Sequence, residues 1–370
     1  MSNILLIFKR RFTNYKIPPL IKIGERFFDL GTLFLPWAMY YGFLFLLIAL
    51  SISLINNYKE FFRDKSNYLI LFLSSLMIIS ALNQNIFFSK NFSIVNETEI
   101  YLGLFNWIPL FFVFWAFQYY LKESKRRYVF ARNLIIGSLP VFLSCIGQNW
   151  WGWESSIILL NKTIVWFQKP LDINLDNGIS GLFSNPNYAG FWFSTIWPFS
   201  LGFFIQSNQR VQKYLNFLIM TITSYLLVLT GSRNALICLI FSALVLFKFK
   251  FFIAFVLPFT FFIFITQLMP LISPEINTIL EPYIPTKVFD KFKFNLNPSF
   301  LNYQRIEIWN KTIALLVKKP FWGWGASTFP LIYTYYDGNS DAQHTHNIFL
   351  QLAYDYGILV ALIILILISS

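Results

Sequence analysis

The stretch YLNFLIMTITSYLLVLTGSRNALICLIFSALVLF, residues 214–247, decides how this chain folds. Two apolar runs, 214–230 and 234–247, carry no charged residue and flank a turn that ends in Ser232 and Arg233. A helix on the surface of a soluble protein keeps a charged face, and neither run has one. Their lengths approach the roughly 20 residues that cross a hydrocarbon core of about 30 Å. They read as a membrane-embedded helical hairpin.

Working outward, comparable runs recur at 66–82, 104–121, 130–148, 186–206, 251–270 and 346–369. The stretch 28–56 reads as two short helices broken near Pro36, because proline removes a helix hydrogen bond and clashes with the preceding turn. Composition agrees: 56% of residues are hydrophobic and 12% charged, where soluble domains carry roughly a quarter charged residues. The predicted fold class is an all-α polytopic membrane protein with about ten transmembrane helices, in a range of about 8–12.

A formal charge of +12 would suit a nucleic-acid partner if it formed one stripe. Instead the basic residues sit in short clusters between apolar runs, which excludes that class and matches the positive-inside pattern. With the Pro36 pair in place, Lys59, Arg63 and Lys65 share the side of the basic amino terminus. So do Lys122, Lys125, Arg126, Arg127 and Arg132, then Arg210 with Lys213, then Lys248 with Lys250. That side is cytoplasmic by the sign rule, and 83–103, 149–185 and 271–345 fall outside. The expected organisation is a cytoplasmic interfacial segment at 1–29, a transmembrane bundle at 30–270, a periplasmic loop at 271–345 and a last transmembrane helix at 346–370. A connection of about 75 residues is far above the usual loop length, which marks it as functional. Within it 302–318 reads as an amphipathic helix, with Ile306, Trp309, Ile313 and Leu316 on its apolar face. Cys145 and Cys238 both lie in apolar runs, so no disulfide framework or zinc site is implied.

Four clusters interrupt the apolar pattern. Asn185-Pro186-Asn187 opens the run 186–206, either as a helix cap or with free backbone N–H groups facing an anion. Arg233 in the short outer turn either snorkels to headgroups or grips a phosphate with two parallel hydrogen bonds. Arg305 near the start of the amphipathic helix, with Trp309 and the glycine-aromatic turn Gly323-Trp324-Gly325, is either a solvated face or a ligand contact. His344 and His346, the only two histidines, precede Asn347 and Asp355 where the outer loop enters the last span. Imidazole there suits a general base. A metal pair is the competing reading, but an i, i+2 spacing points two rings apart on a helix and no further Cys or His stands nearby. Asp355 within a span needs a partner or water, so it is a functional candidate by default.

In this order and on these outer positions, the clusters resemble the O-antigen ligase and oligosaccharide polymerase family of bacterial envelope enzymes. The resemblance implies a GT-C-like glycosyltransferase of the inner membrane, multi-pass, with no metal and no cofactor. It would move a glycan from undecaprenyl diphosphate to an acceptor hydroxyl on lipid A core, glycan or protein at the periplasmic face. Carried over residue by residue, Arg233 and Arg305 would hold the diphosphate and His346 would act as base. Asn185, Asn187, Trp309, His344, Asn347 and Asp355 would line the substrate, with Asp355 standing where the family often has glutamate. Family members commonly continue past the histidine helix, so the carboxy-terminal continuation is expected to be missing here. A transporter, for instance an inorganic-carbon carrier, is the rival reading, against which stands the lack of an inverted repeat. A non-catalytic scaffold of an envelope assembly complex is the third.

Overall fold

A computed structural model of the chain describes residues 19–64, 66–91, 97–154, 157–159, 164–166, 178–246, 304–337 and 342–369. The expected span 251–270 and most of the long loop lie outside the described residues. Chain contacts separate two compact units, one formed by Met1–Ile52 with Tyr120–Phe294 and the other by Ser53–Tyr119 with Asn295–Ser370.

Pro36 acts as expected. It falls in the turn between α1 (Pro19–Phe34) and α2 (Met39–Phe61), where Ala38 N–H still bonds Phe34 O at 2.8 Å. In the first unit α1 packs on α6 (Ser124–Gly137). Arg126 meets both carboxylate oxygens of Asp29 at 2.8 Å, and Asn133 donates to the Asp29 carbonyl. Helix α7 (Leu139–Trp150) follows, then a two-stranded antiparallel ribbon, β1 (Ile157–Leu159) and β2 (Ile164–Trp166), with Ile157 opposite Trp166. The strands were not foreseen, because three residues are too short to register as an alternating pattern. Helices α8 (Pro186–Gln206), α9 (Arg210–Leu229) and α10 (Arg233–Leu246) complete the unit. Ala189, Phe193, Ile196, Leu226, Leu227 and Leu236 form its buried core, and the Trp197 indole crosses from α8 to Ser224 Oγ on α9 at 2.8 Å.

The second unit holds α3 (Ser66–Asn91), the short α4 (Glu97–Leu102), α5 (Ile108–Gln118), α11 (Gln304–Lys318), α12 (Phe329–Asp337), α13 (Ile348–Tyr356) and α14 (Ile358–Ser369). Leu73, Met77, Ile100, Leu315, Trp324 and Phe329 are among its core residues. Two corrections to the sequence reading arise here. The single span expected over 346–370 is two helices, broken at Gly357, whose φ is +98°. The apolar face predicted for the amphipathic helix is rotated: Ile308, Thr312, Leu315 and Leu316 are buried while Ile306 and Ile313 are exposed.

Among the described residues five segments are helical, long and apolar enough to cross a membrane: Met39–Phe61, Asn67–Asn85, Thr98–Leu121, Ser124–Trp150 and Arg210–Leu229. Arg233–Leu246 and Ile358–Ile368 are apolar but shorter. Ten were expected, and five are supported among the described residues. Phe43, Phe105, Phe114, Phe241 and Val245 all project outward, an arrangement costly in water and ordinary against lipid.

Candidate functional site

In the first unit the structure brings the Asn-Pro-Asn turn and the Arg233 turn to one place. Asn185 sits in extended conformation before α8, and its Oδ1 accepts from Asn187 N–H at 2.8 Å, an N-terminal cap. The approach to that cap is held by Gln148, whose Oε1 accepts from Ser180 and Gly181 N–H at 2.9 and 2.8 Å. Ile179 N–H bonds the Leu229 carbonyl at the end of α9. One helical turn into α8, Gly190 lies against the Arg233 turn so closely that a Cβ there would come within 2.8 Å of Ser232 Cβ and 2.9 Å of Ala235 Cβ. Glycine at 190 is therefore what lets the two turns share one end of the unit. Asn185, Asn187 and Arg233 are all exposed, and Arg233 is the first residue of α10.

In the second unit Thr345 organises the histidines. Thr345 is fully buried, and each of its polar groups is tied. Its carbonyl accepts from the half-buried Trp309 indole on α11 at 2.9 Å. Its N–H donates to Gln351 Oε1 at 2.9 Å, and its hydroxyl donates to the Asn347 carbonyl at 2.8 Å. Asn347 in turn caps α13, its Oδ1 accepting from Phe349 and Leu350 N–H at 3.0 and 3.2 Å. Between these fixed points His346 takes a left-handed φ of +53°, a conformation that non-glycine residues adopt only when their surroundings impose it.

The two exposed imidazoles flank Thr345 with ring centroids 4.1 Å apart. The expectation that they point apart assumed a helix, whereas 342–347 precedes α13 and carries no helical geometry. Desolvation, then His344, then Arg305 hold the His346 imidazole below its usual protonation range. Arg305, exposed on the first turn of α11, is thus electrostatically coupled to His346. A neutral imidazole beside a fixed cation can accept a proton near neutral pH. Among the described residues no group of three or more His, Cys, Asp or Glu could hold a metal ion.

Asp355 stands apart from that exposed surface. It is buried near the end of α13, and its Oδ1 accepts from Gln351 Nε2 at 2.8 Å. Its backbone is bound by the glycine-aromatic turn: Trp324 N–H bonds Tyr354 O at 2.6 Å, Gly325 N–H bonds Asp355 O at 3.1 Å, and Ile358 N–H bonds Pro320 O at 2.9 Å. Gly323 and Gly357 face each other at this junction, both at positive φ, and a Cβ on either would overlap the opposing backbone. Gln84 of α3 donates to the carbonyls of Trp322 and Gly323. Lys319 reaches Gln84 Oε1 at 3.2 Å and lies 4.4 Å over the Trp324 ring; burial pushes its ammonium down to about 8. A ligand contact was one of two readings of the turn, and the structure shows it braced against the end of α13.

The structure thus joins Trp309 to His344, His346 and Asn347, and Asn185 and Asn187 to Arg233, which the sequence reading held in four separate clusters. That reading missed Thr345 and Gln351. A polar Gln four residues before Asp355 in an otherwise apolar run was the available signal, since i and i+4 share a helix face.

These features define a class: a helical protein with several helices suited to a bilayer, carrying exposed arginines and a paired-histidine loop on separate turns. Residues 217–365 match the model of the O-antigen ligase family, and that region of the chain is similar to it. The match takes in Arg233, Arg305, Trp309, His344, His346, Asn347 and Asp355 and leaves Asn185 and Asn187 outside. No curated protein and no solved structure matches the chain.

Proposed function

We propose that the chain is a glycosyltransferase that moves a glycan from undecaprenyl diphosphate to an acceptor hydroxyl at the outer face of the bacterial inner membrane, of O-antigen ligase or polysaccharide polymerase type. The observation that carries the reading is the Trp309–Thr345 hydrogen bond, which ties the helix bearing Arg305 to the loop bearing His346. In the reaction a His346 nitrogen takes the acceptor proton as the acceptor oxygen bonds the anomeric carbon. The bond from that carbon to the diphosphate oxygen breaks, and the diphosphate leaves with the electron pair.

Arg305 and Arg233 neutralise the charge that grows on the departing oxygens, a role that fixed guanidiniums fill through parallel hydrogen bonds. Metal independence is part of the proposal. Attack opposite the leaving group inverts the anomeric centre. The Asn185 and Arg233 turns, both opening helices, offer further donors to the anionic head.

Three single substitutions, Arg233→Ala, Arg305→Ala and His346→Ala, test the reading in cells and in proteoliposomes supplied with lipid-linked glycan. Each should abolish transfer with membrane insertion intact, and wild-type transfer in all three rejects this assignment. Transfer that persists in chelator supports the metal-free mechanism, and loss restored by one divalent ion overturns it.

A further inference from the structure

Gln351 has no place in the chemistry above, yet it holds the residue between the two histidines. The polarity of its amide is fixed from one side. A backbone N–H can only donate, so the oxygen of Gln351 must face Thr345 and its nitrogen must face Asp355, as the 2.9 and 2.8 Å contacts show. The amide cannot flip without setting N–H against N–H at one end and oxygen against oxygen at the other.

Asp355 and Gln351 lie one turn apart on α13, so the pair forms a rigid strut along the helix. The base of the strut is anchored, because the Asp355 carbonyl is bound by Gly325 N–H. Its tip meets the only N–H of a residue whose carbonyl and hydroxyl are already committed. With all three groups engaged, Thr345 cannot rotate, and the left-handed turn at His346 follows.

We propose that Gln351 is a positioning residue, oriented by Asp355, that fixes both imidazoles through the Thr345 N–H. Asp355 on this account acts through Gln351 and touches no substrate. The effect on transfer rests on His346 being the base, while the positioning itself does not.

The test uses the full chain in detergent, labelled with ¹³C and ¹⁵N in histidine alone, where two histidines give two sets of imidazole signals. Gln351→Leu, which removes both bonds, should move both sets and cut glycan transfer at least about tenfold. Gln351→Glu should do the same, since it sets two carboxyl groups against each other in a buried site. Adding Asp355→Asn to Gln351→Glu reverses the polarity of the strut while keeping both bonds. The signals should return, and transfer should recover to within about threefold of wild type. A loss of general stability alone would not be repaired by that second change.

Signals of Gln351→Leu superposed on wild type, or a reversed pair as displaced as Gln351→Glu, would overturn the proposal. If instead the signals move as described while His346→Ala transfers normally, the strut stands and His346 is not the base.

Discussion

Replacing Trp309 by Phe removes one N–H and leaves most of the apolar ring. The partner it abandons is the carbonyl of Thr345, a fully buried residue whose carbonyl is bonded to the indole at 2.9 Å. A buried acceptor stripped of its donor costs about 1–3 kcal/mol. That range corresponds to a shift of about 5- to 150-fold between the held loop and opened forms, at a tenfold change per 1.4 kcal/mol. Amide hydrogen exchange at Thr345 reports the opening directly, because its N–H is protected only while Gln351 reaches it. Exchange should accelerate within that range, and glycan transfer should fall by no more than the same factor. Ile306→Ala, on an exposed position of the same helix, serves as the control and should leave exchange unchanged. Unaltered exchange in Trp309→Phe would refute the claim that the indole bond holds the histidine loop.

The remaining predictions concern the same unit. Asn347→Ala strips the cap from α13 and should destabilise the detergent-solubilised protein by about 0.5–2 kcal/mol in thermal unfolding, with Asn347→Asp largely retaining stability. Because His346 is held below its usual value of 6.5, transfer should rise with pH through a single limb lying below that value and then stay flat as the imidazole remains neutral. Removing the neighbouring cationic form with His344→Gln raises the His346 value, so the limb should move toward 6.5 in a pH profile of kcat/KM. Gly357→Ala forces a side chain onto a backbone at φ +98° against the Phe321 carbonyl. It should cost more than the roughly 1–3 kcal/mol of backbone strain alone, read as a lower unfolding temperature or lost monodisperse protein.

How much of this was legible in the sequence depended on whether the signal was local. The break at Pro36, the turn before Arg233 and the helix ending at Lys318 all arise from residues acting on their own backbone, and each lies where the pattern put it. The face of α11 did not. Ile306 and Ile313 are as apolar as the buried Ile308, and Thr312 is buried despite its hydroxyl because it donates to the Ile308 carbonyl within the helix. With apolar residues on both faces, hydrophobic periodicity cannot choose between them. The split of the last span was hidden for another reason: Gly357 in an apolar run is unremarkable until a turn some thirty residues earlier supplies the bonds that break the helix. The histidine cluster was found through its chemistry. Thr345 and Gln351 escaped because their importance lies in partners that only folding brings near.

The interlocked glycines at 323 and 357 give the terminal segment an unusual dependence. Helix α14 takes its heading from a short upstream turn of backbone, so straightening it would strand the amide hydrogens of Trp324 and Gly325 and recover only the ordinary ladder of a continuous rod. Helix α14 therefore works as a hinge pin already seated, and any force pulling on it is delivered first to residues 320–325 and to Gln84 behind them.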